Sequence, residues 1–347
     1  MPLRPRGWGI RGFSGLTWPP GELALFEEFA AKLWERLLEF CPTAGAADLE
    51  GIAEANPKRR AMSMVTQFVC VYGVVIQLDL DEEFVGVIPE CFPASWLKSR
   101  ARKPTLRYKL YRQEGRILVA RLGDSLWRSR EEHVFMTTDR LDQALSVLED
   151  LVYGGLALID SRHTYIHGGG VRVHGQKLLL VGPMLSGVST LISTLMDSGA
   201  EFLGDRWLAV HPDGKVSPLP GSLVIRYSEA PSDRTVVSAP TWPKAKFTPD
   251  QIYLSSFVKE RAVELSEASV GQAASELMGC SPPRGLPQDL RSLCQLAKHS
   301  PVRRLRYLQS AQGARAILDM AKASSHTSKK DKLASTGRGP RNARKDL

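Results

Sequence analysis

The sequence lacks the long hydrophobic run of a membrane protein. No segment approaches the roughly 20 apolar residues that cross a bilayer, although apolar residues make up 43% of the 347 residues. The first residues, MPLRPRGWGIRGFSG, carry basic side chains without an apolar core behind them, so we expect no secretory signal there. The pattern predicts a cytoplasmic protein with no membrane contact.

Paired cysteines are lacking as well. The chain has five cysteines, an odd number, and none of them forms a C-x-x-C pair. We therefore interpret them as free thiols in a reducing compartment, rather than as disulfides or metal ligands. These residues are Cys41, Cys70, Cys91, Cys280 and Cys294.

Acidic residues are too few to balance the basic ones, and the net charge is +9. From Ser324 onward, seven Lys or Arg and two Asp or Glu give +5, which leaves +4 for the rest of the chain. This end of the chain lacks aromatic residues and cannot bury a core. We therefore predict that residues 323–347 form a disordered basic tail.

A second basic run, SWLKSRARKPTLRYKLYR, covers residues 95–112. Such a run is typical of a solvated loop and strand face. The alternative is a contact surface for nucleic acid or for an acidic partner or peptide. Because the charge outside the tail is small, nucleic acid is not the partner that we expect.

The apolar pattern divides the remaining chain into two parts. Residues 1–138 combine an amphipathic helix over 22–40 with a small antiparallel sheet over 63–138. Residues 139–322 mix strands with helices, beginning with an amphipathic helix over 141–158 that has Asp139 as its N-cap. The pattern indicates an α/β (α+β) fold.

One stretch, HGQKLLLVGPMLSGVSTLISTLMDSG over 174–199, organises the second part. LLLV has the length of a buried strand, and LISTLMDSG places apolar residues at helical spacing. The loop GPMLSGVST lies between them at a helix N-terminus, where backbone N–H groups favour phosphate. The template of a nucleotide-binding P-loop is G-x-x-x-x-G-K-[ST]. Gly182, Gly187 and Ser189 fit it, but Val188 stands at the lysine position.

The blocks around this loop resemble bacterial HPr kinase/phosphorylase-like proteins, and more closely the HPr-kinase-related proteins found beside peptide-modification systems. The similarity covers about residues 139–322, roughly half of the chain, and gives little help with residues 1–138. The blocks that carry it are His167, GGGVRVHGQKLLLVGP, STLISTLMDSGAEFLGD, HPDGKVSPLPGSLVIR, LSEASVGQAASEL and an R-x-L-R-Y strand.

The resemblance implies both a fold and an activity. The fold is the nucleotide-binding core shared with phosphoenolpyruvate carboxykinases, a mixed, strongly twisted sheet with a P-loop and flanking helices. The activity is magnesium-dependent transfer of a phosphoryl group from ATP or a related donor. The acceptor is a serine or other hydroxyl on a protein, peptide or small molecule.

The resemblance also implies roles for individual residues. Ser189 and Asp205 hold Mg²⁺, and Asp205 is alternatively the general base. His167 matches a catalytic or orienting histidine, although an isolated histidine is more often structural. The implied nucleotide-binding residues are Gly182, Ser186, Gly187, Val188, Ser189 and Thr190.

Four departures separate the chain from the family pattern. Met184 and Leu185 replace small residues in the loop, and Val188 removes a charge on which phosphoryl transfer depends. Arg206 takes the place of an acidic neighbour of Asp205. We expect its guanidinium to lie beside the phosphates and to supply part of the missing charge.

Three interpretations follow from the sequence. The first is an HPr-kinase-like ATP-binding phosphotransferase. The second is a pseudokinase that has lost catalysis and binds a protein or peptide, and the third is a loop that only connects a strand to a helix. The resemblance also allows a homo-oligomer, because HPr kinases form hexamers. The acceptor and the phosphoryl donor are not determined by the sequence.

Overall fold

The structure is a computed structural model that describes residues 63–336 except 102, 123–131, 227–233, 238–245, 259–262, 283 and 285. The predicted helix over 22–40 and residues 337–347 of the predicted tail lie outside the described residues. Helices and mixed sheets make up the described part, which confirms the predicted α/β class. The four described cysteines are free thiols, as predicted.

A six-stranded sheet opens the described chain, in the order β3-β1-β2-β4-β5-β6. One face of β2 is fully apolar and buried, with Ile76, Leu78 and Leu80 pointing into the core. This alternation is the reason that the segment forms strands. The strands are β1 (Met64–Val71), β2 (Val74–Asp81), β3 (Leu97–Lys98), β4 (Leu106–Gln113), β5 (Arg116–Arg121) and β6 (His133–Thr138).

This sheet is mixed, and the prediction of an antiparallel sheet is wrong for one pair. β2 and β4 run parallel, with Ile76 opposite Leu106. The connection over 82–105 contains the short helix α1 (Glu82–Val85) and a 3-10 turn (Ile88–Glu90). A connection of this length carries the chain back across the sheet, which a tight hairpin turn cannot do.

Helix α2 (Leu141–Ile159) packs on the first sheet. Its buried residues share one apolar cluster with that sheet and with Tyr165, Ala209 and Leu219 farther along the chain. The helix that the sequence assigns to the second part therefore joins both parts. The predicted N-cap is wrong: Arg140 holds that position without a side-chain cap, and its N–H donates to Thr138 Oγ1 at 3.1 Å.

A second sheet of eight strands follows, in the order β11-β10-β7-β8-β14-β16-β15, with β9 beside β7. The central strands β8, β14 and β16 are parallel, and the flanking pairs are antiparallel. These strands are β7 (Thr164–Val173), β8 (Gln176–Val181), β9 (Glu201–Gly204), β10 (Trp207–Val210), β11 (Val216–Pro218), β14 (Gln251–Phe257), β15 (Glu264–Glu267) and β16 (Val302–Tyr307). A separate pair consists of β12 (Val224–Arg226) and β13 (Arg234–Val236).

Helices cover both faces of the second sheet, which explains the uninterrupted LLLV run of β8. Leu178 and Leu180 share a cluster with α3 (Val188–Asp197) and α6 (Ser310–Thr336). Leu179 and Val181 point the other way, into a cluster with α4 (Val270–Gly279) and α5 (Pro287–His299). A strand buried on both faces has no polar side to alternate with.

The prediction of a disordered tail is wrong for the residues that belong to the last helix. Helix α6 continues to Thr336, so the part of the predicted tail over 323–336 is helical. Between 314 and 336 the chain has no Gly or Pro, and its Ala, Lys and Leu residues favour helix. No helix in the described ranges combines the length and apolar character needed to cross a bilayer.

A cluster of rings joins the two sheets at the β1–β2 turn. The His163 ring lies 4.2 Å from the Tyr72 ring and 4.7 Å from the His211 ring, measured between centroids. His163 Nδ1 is 2.7 Å from Oδ2 of the buried Asp160, and His211 Nε2 is 2.9 Å from Ser217 Oγ. Both histidines are partly buried.

This cluster predicts a pH-dependent stability. Burial, then His163 and Lys246, lower the pKa of His211 to about 4, whereas an unfolded histidine has a pKa of about 6.5. Between these values the unfolded chain binds the extra proton, so stability falls as the pH falls through this window. His211→Gln should flatten the dependence of the unfolding free energy on pH between 4 and 6.5, measured by urea titration.

The exposed His174 provides the matched control. His174→Gln should show the same dependence of the unfolding free energy on pH as the parent protein. An identical slope in the parent and in His211→Gln would show that the ring cluster does not contribute to the acid sensitivity.

Candidate functional site

The predicted loop lies at the carboxyl edge of the parallel strands, where α/β sheets bind ligands. β8 ends at Val181, and the chain turns into α3 at Gly187. A Cβ on Gly182 would clash with Ser186 Oγ and lie 2.7 Å from the carbonyl oxygen of Ser255. Gly187 has a φ of 84°, and a Cβ there would lie 2.8 Å from the Tyr307 hydroxyl. Both predicted glycines are therefore required by the loop geometry.

The structure brings together the two predicted metal ligands. Ser189 lies in the first turn of α3, and Asp205 lies in the turn between β9 and β10. The Ser189 hydroxyl donates to Asp205 Oδ2 at 2.8 Å. The carboxylate is only 3% exposed, and this burial raises the pKa of Asp205, against the lowering effect of Ser189 and Arg206.

Three buried oxygens around the loop lack a hydrogen-bond partner among the described residues. They are Ser186 Oγ, Ser255 Oγ and Asp205 Oδ1. A buried polar atom without a partner costs about 1–3 kcal/mol, so such atoms point to a ligand or water. Oxygens of a hydroxyl and a carboxylate beside helix amides fit a Mg²⁺ ion with phosphates.

The described chain contains no group of three His, Cys, Asp or Glu residues that could hold a metal by themselves. The donors at the loop are a hydroxyl and a carboxylate, and Mg²⁺ commonly binds one or two protein carboxylates and completes its shell with phosphate oxygens and water. The residues around Ser189 and Asp205 therefore fit a magnesium nucleotide and do not fit a zinc ion.

The lysine position of the loop is apolar in structure as well as in sequence. Val188 is 2% exposed and packs in the cluster of Val171, Leu191 and Leu223. It brings no charge to the phosphate side of the loop. Leu185 has a φ of 63° and is 42% exposed, so it lies outside the core.

Arg206 corrects one expectation of the sequence analysis. Its guanidinium is 4% exposed and points to α2, where it binds Glu149 and lies 2.8 Å from Asp150 Oδ1. It also donates to the carbonyl oxygen of Ser146 at 3.2 Å. Because the guanidinium is already paired with two carboxylates, it does not replace the missing lysine. Instead it holds the turn that carries Asp205 against α2.

His167 lies at the start of the loop rather than over it. Its Nδ1 is 3.0 Å from the carbonyl oxygen of Gly182, and the Gly182 N–H donates back to the His167 carbonyl at 3.3 Å. A carbonyl only accepts, so Nδ1 carries the proton in this tautomer. The geometry gives His167 an orienting contact with the loop. Thr190 also follows the loop in α3, where its carbonyl accepts from Thr194 Oγ1 at 2.9 Å.

Sequence reasoning missed three residues at this edge. Ser255 and Phe257 end β14, and Tyr307 ends β16 and donates to the Ser186 carbonyl at 3.3 Å. Only the parallel order of β8, β14 and β16 places these strand ends beside the loop. The two serines inside the apolar segment QIYLSSFV were the one signal available in the sequence.

No family model matches the chain, and no curated protein matches it at a significant level. The resemblance to HPr kinases therefore remains a prediction from the motifs. The loop and its neighbours carry the features that point to a phosphate site.

The Arg206 contacts predict a large effect of mutation. Arg206→Ala removes the cation from the buried Glu149 and from the partly buried Asp150, which should cost about 3–5 kcal/mol of stability. The matched control is Arg140→Ala, because Arg140 pairs with Asp142 at 2.7 Å on the surface. Loss of a surface pair should cost less than about 1 kcal/mol. Equal unfolding free energies of the two variants in urea would contradict the assignment.

Proposed function

We propose that this chain binds Mg·ATP or a related phosphoryl donor at residues 182–190 and transfers a phosphoryl group to a hydroxyl on a protein, peptide or small molecule. The observation that carries the proposal is the 2.8 Å hydrogen bond between Ser189 and Asp205 beside a glycine loop. The unpartnered oxygens of Ser186 and Asp205 support it. The motif resemblance to HPr kinases points to the same chemistry.

Phosphate would bind at the N-terminus of α3. The first N–H groups of a helix have no acceptor within the helix, and the helix dipole adds positive potential. Gly187 in the left-handed conformation turns the chain so that the amides of Val188, Ser189 and Thr190 begin the helix at the loop. This contribution needs no side chain and survives the loss of the lysine.

Ser189 and Asp205 would hold Mg²⁺, whose charge lowers the repulsion between the phosphates and an incoming hydroxyl. Oδ2 of Asp205 already accepts from Ser189. Oδ1 has no partner among the described residues, so it is the oxygen with capacity for a metal ion or for the acceptor's proton. Because the pKa of Asp205 is raised by burial, metal binding should weaken at low pH, when the carboxylate is protonated.

Calorimetry with Mg·ATP tests this proposal. The parent protein should bind, and Asp205→Ala should weaken binding at least tenfold, since loss of even an outer-shell metal partner costs about 10–100-fold. Asp213→Ala is the matched control, because Asp213 is an exposed carboxylate in the β10–β11 turn. No binding of ATP, GTP or pyrophosphate by the parent would refute the proposal.

A second candidate function is a pseudokinase that binds a protein or peptide without catalysis. The observation that favours it is the burial of Val188 in an apolar cluster, together with the commitment of Arg206 to Glu149 and Asp150. Loss of one positioned electrostatic donor typically removes about 3–4 kcal/mol of transition-state stabilisation, or 10² to 10³ in rate.

The cytoplasmic location and the homo-oligomer stay predictions from the sequence.

The double variant Val188→Lys with Leu185→Gly separates the two functions. A pseudokinase should gain affinity for Mg·ATP in this variant, because a lysine charge returns and the left-handed position 185 becomes a glycine. Leu185→Gly alone controls for the backbone effect. Phosphoryl transfer by the parent at ordinary kinase rates, about 1–100 s⁻¹, would exclude the pseudokinase.

A further inference from the structure

Phe257 is a half-exposed aromatic side chain at the rim of the loop. It is the last residue of β14 and is 49% exposed, although the first five residues of the strand are buried. A Cβ on Gly187 would lie 3.9 Å from Phe257 Cβ, so the side chain starts directly beside the N-terminus of α3. The Tyr307 ring supports the phenyl ring at 6.3 Å in an edge-to-face arrangement.

The two flanks of the loop have different chemistry. A Cβ on Gly169 of β7 would lie 3.1 Å from Asp205 Oδ1, so the Ser189–Asp205 pair belongs to the β7 side of β8. Phe257 belongs to β14, on the opposite side of β8. The polar flank fits a metal ion, and the aromatic flank fits a flat apolar group.

The direction of a bound nucleotide follows from this asymmetry. In a magnesium nucleoside triphosphate the metal ion bridges the terminal phosphates. The base is attached at the other end of the phosphate chain. Ser189 and Asp205 would hold the metal ion on the β7 flank, so the base would extend toward β14 and the acceptor hydroxyl would approach from the metal side.

We propose that Phe257 is the platform on which the base of the bound nucleotide stacks. The inference rests on the proposed nucleotide site and adds the ligand class, a purine nucleotide. Stacking on an aromatic face tolerates any base, and purines offer the larger ring surface. We therefore expect the site to bind ATP and GTP with similar affinities.

Calorimetry with Mg·ATP and with magnesium tripolyphosphate separates the base from the phosphates. Phe257→Ala should weaken ATP binding about tenfold, the lower part of the range measured for base stacking, and leave tripolyphosphate binding unchanged. Phe257→Trp should retain ATP binding. Leu290→Ala is the matched control, because Leu290 on α5 is equally exposed at 49%. Thermal unfolding verifies that each variant is folded.

Each remaining outcome counts against the platform. If Phe257→Ala binds ATP as tightly as the parent protein does, the inference is overturned, although the nucleotide site still stands. Equal losses for ATP and tripolyphosphate would assign Phe257 to the shape of the loop. Parent protein that binds neither ligand would refute the nucleotide site itself.

Discussion

The buried ion pairs of Arg206 hold the two halves of this protein in one arrangement. Arg206 follows Asp205 in the β9–β10 turn, and its guanidinium reaches Glu149 and Asp150 on α2, a helix that packs on the first sheet. Its φ of 74° places a non-glycine residue in the left-handed region, which costs about 1–2 kcal/mol. Buried pairs add little net stability, but an unpaired buried charge is costly, so the pairs specify the turn.

The geometry of the candidate site depends on the β9–β10 turn. Asp205 can meet Ser189 because the β9–β10 turn is fixed on one side by α2 and the loop is fixed on the other by β8. The two glycines of the loop leave no room for side chains, so in the proposed function the backbone amides at the start of α3 would bind phosphate. Val188 contributes no phosphate-binding group. It occupies the position of the lysine in the P-loop template, and its side chain is buried in the apolar core. In the proposed function, binding of phosphate and efficient phosphoryl transfer would therefore be separable.

The first sheet is part of the same structure rather than an independent attachment. Helix α2 contributes to an apolar cluster that contains residues of both sheets. The rings of Tyr72, His163 and His211 make a second, polar connection at the β1–β2 turn. The two sheets are thus joined at two places, one through α2 and one through the ring cluster next to β10.

Local patterns determined much of the fold. The LLLV strand and the spacing of Gly182 and Gly187 follow from burial on two faces and from the close approach that glycine allows, which neighbouring residues encode. Tertiary structure alone decided the parallel pairing of β2 with β4, the partners of Arg206 and the place of Phe257 beside the loop. The physical reason is distance along the chain. No local period or turn signal specifies that residue 206 pairs with residue 149, and only the packing of the two sheets and their helices brings such groups together.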